Sequence, residues 1–255
     1  AEEERFARAA DTTLLISEHE ANLFRTRLSS SGQVDIKVMR NGIDAQFFAP
    51  EAVAPQPTMR ETGPNFLFTG QMDYAPNVSA VERMVQRILP GIRETRARAE
   101  FHIVGRAPTP GVKALGRQDG VTVWGQVPDV RPFLAEADIV AAPLTIARGI
   151  QNKVLEAMAM ARPVLLSPEA ATGIDAEDGV HFAVAEGDRM MVGRALPLIE
   201  DRARAKAMGD AARAFVLAEQ SWSAMLGGLG ELLRPSAETG ATTSSAADDP
   251  VRNAA

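Results

Sequence analysis

The sequence contains no cysteine among its 255 residues. Disulfides, thiolate metal sites and cysteine nucleophiles are therefore excluded. The absence fits a reducing compartment, although secreted chains can also lack cysteine. No apolar run approaches the roughly 20 residues that span a bilayer, so no membrane helix is expected. Positive charge is not in excess, since 27 Lys and Arg stand against 33 Asp and Glu for a net charge of -6. A broad basic surface for nucleic acid is not expected, while a local basic pocket stays open. No G-x-G-x-x-G dinucleotide fingerprint occurs. No two of His19, His102 and His181 have metal-ligand spacing, so no protein metal site is expected. His19 should lie on a helix surface. His102 and His181 should lie within strands, His102 as a satisfied core or flanking residue. No nucleophile elbow is present from which to assemble a Ser-His-Asp arrangement. The opening "AEEERFARAA" has no initiator Met and no signal-like stretch, and reads as sequence from the middle of a domain.

What is present is ordinary for a globular chain: 45% apolar and 24% charged residues. The length suits one full domain plus part of another. "TTLLIS" and "VDIKVM" read as strands around a helix that begins at Ser17, where Ser17 and Glu20 form a capping box. "NGID" reads as a turn in which Gly42 takes positive φ. Residues 1–50 therefore look like the tail end of a domain, and the Pro-rich stretch 51–64 like a linker. From residue 65 the pattern is regular. Strands "NFLFTG", "AEFHIVG", "GVTVWG", "DIVAAP", "RPVLLS" and "GVHFAVA" alternate with helices, among them one from Pro76 to Ile92. The alternation predicts an α/β fold, a Rossmann-like doubly wound parallel sheet over 65–218. A closing helix is expected over 219–234. Residues 235–255 lack hydrophobic content and are expected to be disordered.

In such a sheet, ligands bind past the carboxyl ends of the strands. Candidate loops begin at Gly70, Gly105, Gly125 and Pro143. Gly70 lets backbone approach a ligand before a helix N-terminus, though a plain βα turn fits equally. In "VWGQVPDVRPFL", Asp129 reads as an N-cap, and the loop before it could face a planar base. The most informative stretch is "RGIQNKVLEAMAMARPVLL", Arg148 to Leu166. A helix starting near Gly149 or Ile150 packs Ile150, Val154, Leu155, Met158 and Ala159 on the sheet. Asn152, Lys153 and Glu156 then share the other flank, with Arg148 just before it. Two cations, an amide and the helix dipole suit a phosphate or diphosphate, and Glu156 suits a vicinal diol. A solvated face with a Lys–Glu pair is the alternative.

"NKVLEAMAMARPVLLS" resembles the donor-binding signature of retaining GT-B glycosyltransferases, group 1 or family 4. "SEHEANLF", "MRNGIDAQFFAP", "FLFTGQMDYAPN", "FHIVGRAP", "VTVWGQVPDVRPFLAEADIVAAPL" and "WSAMLGGLGELL" resemble other parts of the family in the same order. The likeness spans about residues 10–234, and "ARGIQNKVLEAM" is closest to sugar transferases of bacterial exopolysaccharide clusters. The resemblance implies a hexosyltransferase-type enzyme with a nucleotide-sugar donor and no cofactor or metal. It implies that residues 1–50 are a remnant of the acceptor domain. Glu156 would bind the ribose, as the second glutamate of the family's E-x7-E motif. Arg148 and Lys153 would meet the diphosphate. Backbone N–H groups of Gly149 and Ile150, with Asn152, would face phosphate or donor sugar. Gly70 with Gln71 and Asn77 would form the glycine loop, and Gln126 and Val127 would lie beside the base. The acceptor would be lipid-linked or a polysaccharide, and the protein cytoplasmic, in peripheral contact with the inner face of the membrane.

The sequence departs from the family at Arg148, where the first glutamate of E-x7-E is usual. It departs again at Gln71 and Asn77, which stand nearest the places of a usual Arg and Lys. Our expectation is that Arg148 replaces the positive charge that the glycine loop has lost. Ala161 stands for a usual glycine. With most of the acceptor domain absent, the chain alone is expected not to turn over. A non-catalytic GT-B-like nucleotide-binding protein, a nucleotide-sugar epimerase or a phosphorylase remain as rival readings.

Overall fold

A computed structural model describes residues 2–29, 34–59, 63–147 and 149–233. The chain opens with α1 (Glu2–Ala9), β1 (Thr13–Leu15), α2 (Glu18–Arg27) and β2 (Ile36–Val38). Ser17 caps α2, its hydroxyl accepting the Glu20 N–H at 3.1 Å. β1 and β2 pair in parallel over three residues, so β2 is shorter than the Val34–Met39 run predicts. Gly42 does not take positive φ. Its lack of a side chain matters for space instead, because a Cβ there would come within 2.6 Å of the Trp222 Cα. Residues 50–59 form two short 3-10 turns, Pro50–Ala52 and Pro57–Met59. The second is anchored rather than loose: Met59 is fully buried and its carbonyl accepts the Asn65 Nδ2–H at 2.7 Å.

The main sheet holds β3 (Asn65–Thr69), β4 (Glu100–Val104), β5 (Val121–Gly125), β6 (Ile139–Ala142), β7 (Val164–Leu166) and β8 (Ala183–Val184). Their order is β5-β4-β3-β6-β7-β8, with every pairing parallel. β3, β6 and β7 are buried at every position, as expected for apolar strands with helices on both faces. Phe66, Phe68, Phe101, Ile103 and Ile139 form the centre of the core. Each such buried side chain contributes about 1.5–3 kcal/mol. β8 is only two residues long because it pairs with the last two residues of the short β7. His181 therefore lies outside the strand, contrary to the sequence reading, and its Nδ1 accepts the Glu177 N–H at 2.9 Å.

The helices are α3 (Ala75–Arg83), α4 (Leu89–Arg93), α5 (Pro110–Leu115), α6 (Arg131–Glu136), α7 (Asn152–Ala159), α8 (Pro168–Ala171), α9 (Asp188–Glu200), α10 (Arg202–Phe215), α11 (Trp222–Leu226) and α12 (Leu229–Leu232). A π-turn, Met84–Ile88, joins α3 to α4 just before Pro90. Proline cannot donate to the carbonyl four residues back, and a widened turn accommodates it. Asp129 stands one residue outside the cap position of α6 that the sequence suggests. It still serves the helix start, its Oδ1 accepting the Arg131 N–H at 2.9 Å. Among the described residues, no helix is long and apolar enough to cross a membrane.

Candidate functional site

The strand order reverses between β3 and β6, so the loops after them part and leave a crevice at the carboxyl edge of the sheet. Gly70 ends β3 on one side of it. A Cβ at Gly70 would sit 2.8 Å from Asn77 Nδ2 and 3.2 Å from Lys153 Nζ, so hydrogen is what fits. Asn77, in the first turn of α3, is buried. Its Nδ2 donates to the Gln71 carbonyl at 2.9 Å, and its Oδ1 accepts from Lys153 Nζ. Lys153, in the first turn of α7, also sits over the Phe68 ring with Nζ 4.5 Å from the centroid. The glycine loop and α7 are thus tied together by one neutral amide.

Lys153 and Glu156 are half-buried neighbours on α7. Burial lowers the Lys153 pKa to about 8, and the charge of Glu156 resists that shift. Burial likewise raises the Glu156 pKa, and the ammonium opposes the rise. Among the described residues, no carboxylate lies within ion-pair distance of Lys153. The Glu156 side chain has neither a hydrogen bond nor an ion pair there. Half-buried charges that compensate each other only at a distance are costly unless a ligand completes them.

A second glycine loop abuts the first. A Cβ on Gly105, which ends β4, would overlap the Gly70 carbonyl oxygen. Arg106 follows. Its carbonyl accepts the Met72 N–H at 2.8 Å, and its Nη2 donates to Gln71 Oε1 at 2.6 Å. The loop after β6 is braced from behind by Arg83, whose Nη1 donates to the Pro143 carbonyl at 3.1 Å while its Nε pairs with Asp188. Gly149 takes φ +66° and is exposed, and its carbonyl accepts the Gln151 Nε2–H at 3.1 Å. This geometry delays α7 to Asn152, two to three residues beyond the predicted start.

A family profile described as glycosyl transferases group 1 matches residues 63–201, more than half of the chain. The chain belongs to that family. Its fold is GT-B. It is similar to sucrose-phosphate synthase from Thermosynechococcus elongatus at 19% identity and a TM-score of 0.67, over 90% of this chain and 59% of that one. It is similar to HepE from Anabaena, solved with UDP and glucose, at 16% identity and a TM-score of 0.67, over 89% of this chain and 64% of that one. The lipopolysaccharide glycosyltransferase WaaG gives 16% identity and a TM-score of 0.67, over 86% of this chain and 62% of that one. The chain thus spans about three fifths of the length of these structures. Among curated proteins none matches it.

In this family member, Gly70, Gln71, Asn77 and Lys153 come together past the carboxyl end of β3, with Glu156 one helical turn behind Lys153. Ile150 packs against the core and meets Gly173, whose added Cβ would lie 3.1 Å from Ile150 Cγ1. Asn152 is exposed at the start of α7, as is Gln126 past β5, beside the half-buried Val127. Arg148 lies outside the described residues. His102 is a satisfied core residue, as expected. Its Nδ1 accepts the Trp124 Nε1–H at 3.2 Å, its Nε2 meets Asn65 Oδ1 at 3.0 Å, and burial lowers its pKa to about 4. Sequence reasoning missed Arg106 and Arg83. A rule that inspects the residue after each strand-end glycine would have found Arg106. Nothing local marks Arg83.

Proposed function

We propose that this chain is the donor-binding half of a retaining, metal-independent hexosyltransferase that uses a nucleotide-diphosphate sugar. The observation that carries the reading is the half-buried Lys153 ammonium, held by an amide and a ring face but, among the described residues, by no carboxylate, at the switch point of the sheet. A diphosphate supplies the missing counter-charge. The first-turn N–H groups of α7 and the positive end of its dipole add to the attraction. Glu156, ionised, accepts two hydrogen bonds and fits the ribose diol. The UDP and glucose named for HepE support this donor class.

As the sugar leaves, negative charge grows on the diphosphate oxygens. Lys153 and Arg148 stabilise that charge through preorganised electrostatics. In the same reading, Gly149, Ile150 and Asn152 face the donor phosphates or sugar, and Gln126 and Val127 flank the base. The acceptor is a polysaccharide or a lipid-linked glycan of a bacterial exopolysaccharide pathway, met at the inner face of the membrane.

Titration of UDP, GDP, ADP and their sugars against the intact protein tests this. One nucleotide should bind, and Lys153→Ala should weaken it roughly tenfold or more, the worth of one charge-assisted contact. Glu156→Gln should weaken the nucleotide but spare inorganic pyrophosphate. In turnover, Arg148→Ala should lower kcat/KM by roughly 100-fold. Unchanged nucleotide affinity in Lys153→Ala would remove the donor reading.

A further inference from the structure

The donor reading leaves a shortage of charge. A nucleoside diphosphate brings two to three negative charges, and the glycine loop offers only the neutral Gln71 and Asn77. The geometry points to Arg106 as a further donor-binding cation, with Gln71 as the residue that positions it. The inference rests on the donor reading above and extends it to Arg106, a residue to which neither the sequence pattern nor the family likeness gives a role.

The two glycine loops are built as one surface. Gly70 contacts the Asn77–Lys153 pair on one side, and on the other its carbonyl occupies the space that a Gly105 side chain would need. Arg106 is the next residue along, and its side chain reaches Gln71, the residue after Gly70. The backbone of Arg106 is pinned by the Met72 N–H at 2.8 Å. Its guanidinium is exposed but aimed, because Nη2 donates to Gln71 Oε1 at 2.6 Å. No carboxylate pairs with it among the described residues. One hydrogen bond leaves four of the five guanidinium N–H groups for a ligand. Arg106 bonds the Gln71 side chain, Asn77 bonds the Gln71 backbone carbonyl and Lys153 bonds Asn77, so these contacts join both loops to α7 with a cation at each end and no anion among the four residues. Such an array matches an extended anion such as a diphosphate rather than a single carboxylate.

The test uses calorimetry on the intact protein with UDP, GDP, ADP and the matching monophosphates. Arg106→Ala should weaken the diphosphate that binds by roughly tenfold or more, and the monophosphate by much less. Arg106→Lys should restore part of the loss, keeping the charge but not the fork. Gln71→Ala should cost affinity in the parent and nothing further in Arg106→Ala, which a merely structural glutamine would not do. If Arg106→Ala binds within twofold of the parent while Lys153→Ala does not, Arg106 is out and the donor reading stands. If Lys153→Ala is also unchanged, or no diphosphate binds, both are overturned together.

Discussion

At the scale of single residues, the half-buried Lys153 and the buried His102 put their charge under the control of pH in opposite settings. Lys153 loses its proton near pH 8, because burial disfavours the ammonium. A ligand held by that ammonium is therefore bound best below pH 8, and its affinity falls as pH rises beyond it. Nucleotide Kd measured from pH 7 to 9.5 should rise toward the limit of tenfold per unit above pH 8. The rise should be absent in Lys153→Arg, which stays charged; an equal rise there would assign the titration elsewhere. His102 acts on stability instead. Its pKa of about 4 when folded lies below the ordinary value of 6.5, so the unfolded chain takes up a proton first as pH falls. Stability is full above pH 6.5 and is lost toward pH 4. Between pH 7 and 5 the loss should be about 2 kcal/mol by urea unfolding, and smaller in His102→Gln. The sequence placed His102 correctly because an apolar strand with one polar residue leaves few roles for it. The Trp124 and Asn65 partners come from β5 and β3, and no spacing within "FHIVG" reveals them.

At the scale of elements, the strands were legible because β3, β4 and β6 are short apolar runs that end in Gly or Pro. The start of α7 was not, since the positive φ of Gly149 and the extended Gln151 carry the chain past the crevice before it coils. The brace on that loop is equally invisible locally. Arg83 ends α3, Pro143 follows β6 and Asp188 begins α9, three elements that meet only in the fold. The pair is largely shielded, with 13% of the Arg83 side chain and 31% of Asp188 exposed. Arg83→Ala should cost about 2 kcal/mol, since it breaks the pair and frees the Pro143 carbonyl. Asp188→Ala should cost less, because Arg83 keeps that carbonyl. Urea midpoints for the two variants check the order, and equal losses would mean the loop draws nothing from Arg83.

At the scale of the whole molecule, the alternation of elements foretold a doubly wound sheet, and the reversal of strand order between β3 and β6 fixes where its crevice opens. Alternation alone could not say how the chain returns to its first fifty residues. One of its links is a narrow seam: the Ile43 N–H donates to the Gln220 carbonyl at 2.8 Å, and the Trp222 N–H to the Ile43 carbonyl at 3.3 Å. The seam closes only because Gly42 has no side chain, its absent Cβ being the place where the Trp222 backbone runs. The Arg40–Asp175 ion pair lies nearby, but Asp175 is 73% exposed, and such a pair contributes little. Backbone fit holds α11 to the chain around Ile43, while the shielded Arg213 of α10 adds a separate tie, its Nη1 donating to the Phe48 carbonyl at 3.1 Å. Gly42→Ala should push α11 away and speed amide exchange at Ile43 and Trp222, while β3 and β6 keep their protection. Arg40→Ala should leave the same amides almost unchanged. If exchange at Ile43 and Trp222 instead responds to the loss of Arg40 and ignores the added methyl group, the two lobes are joined by electrostatics and the seam is incidental.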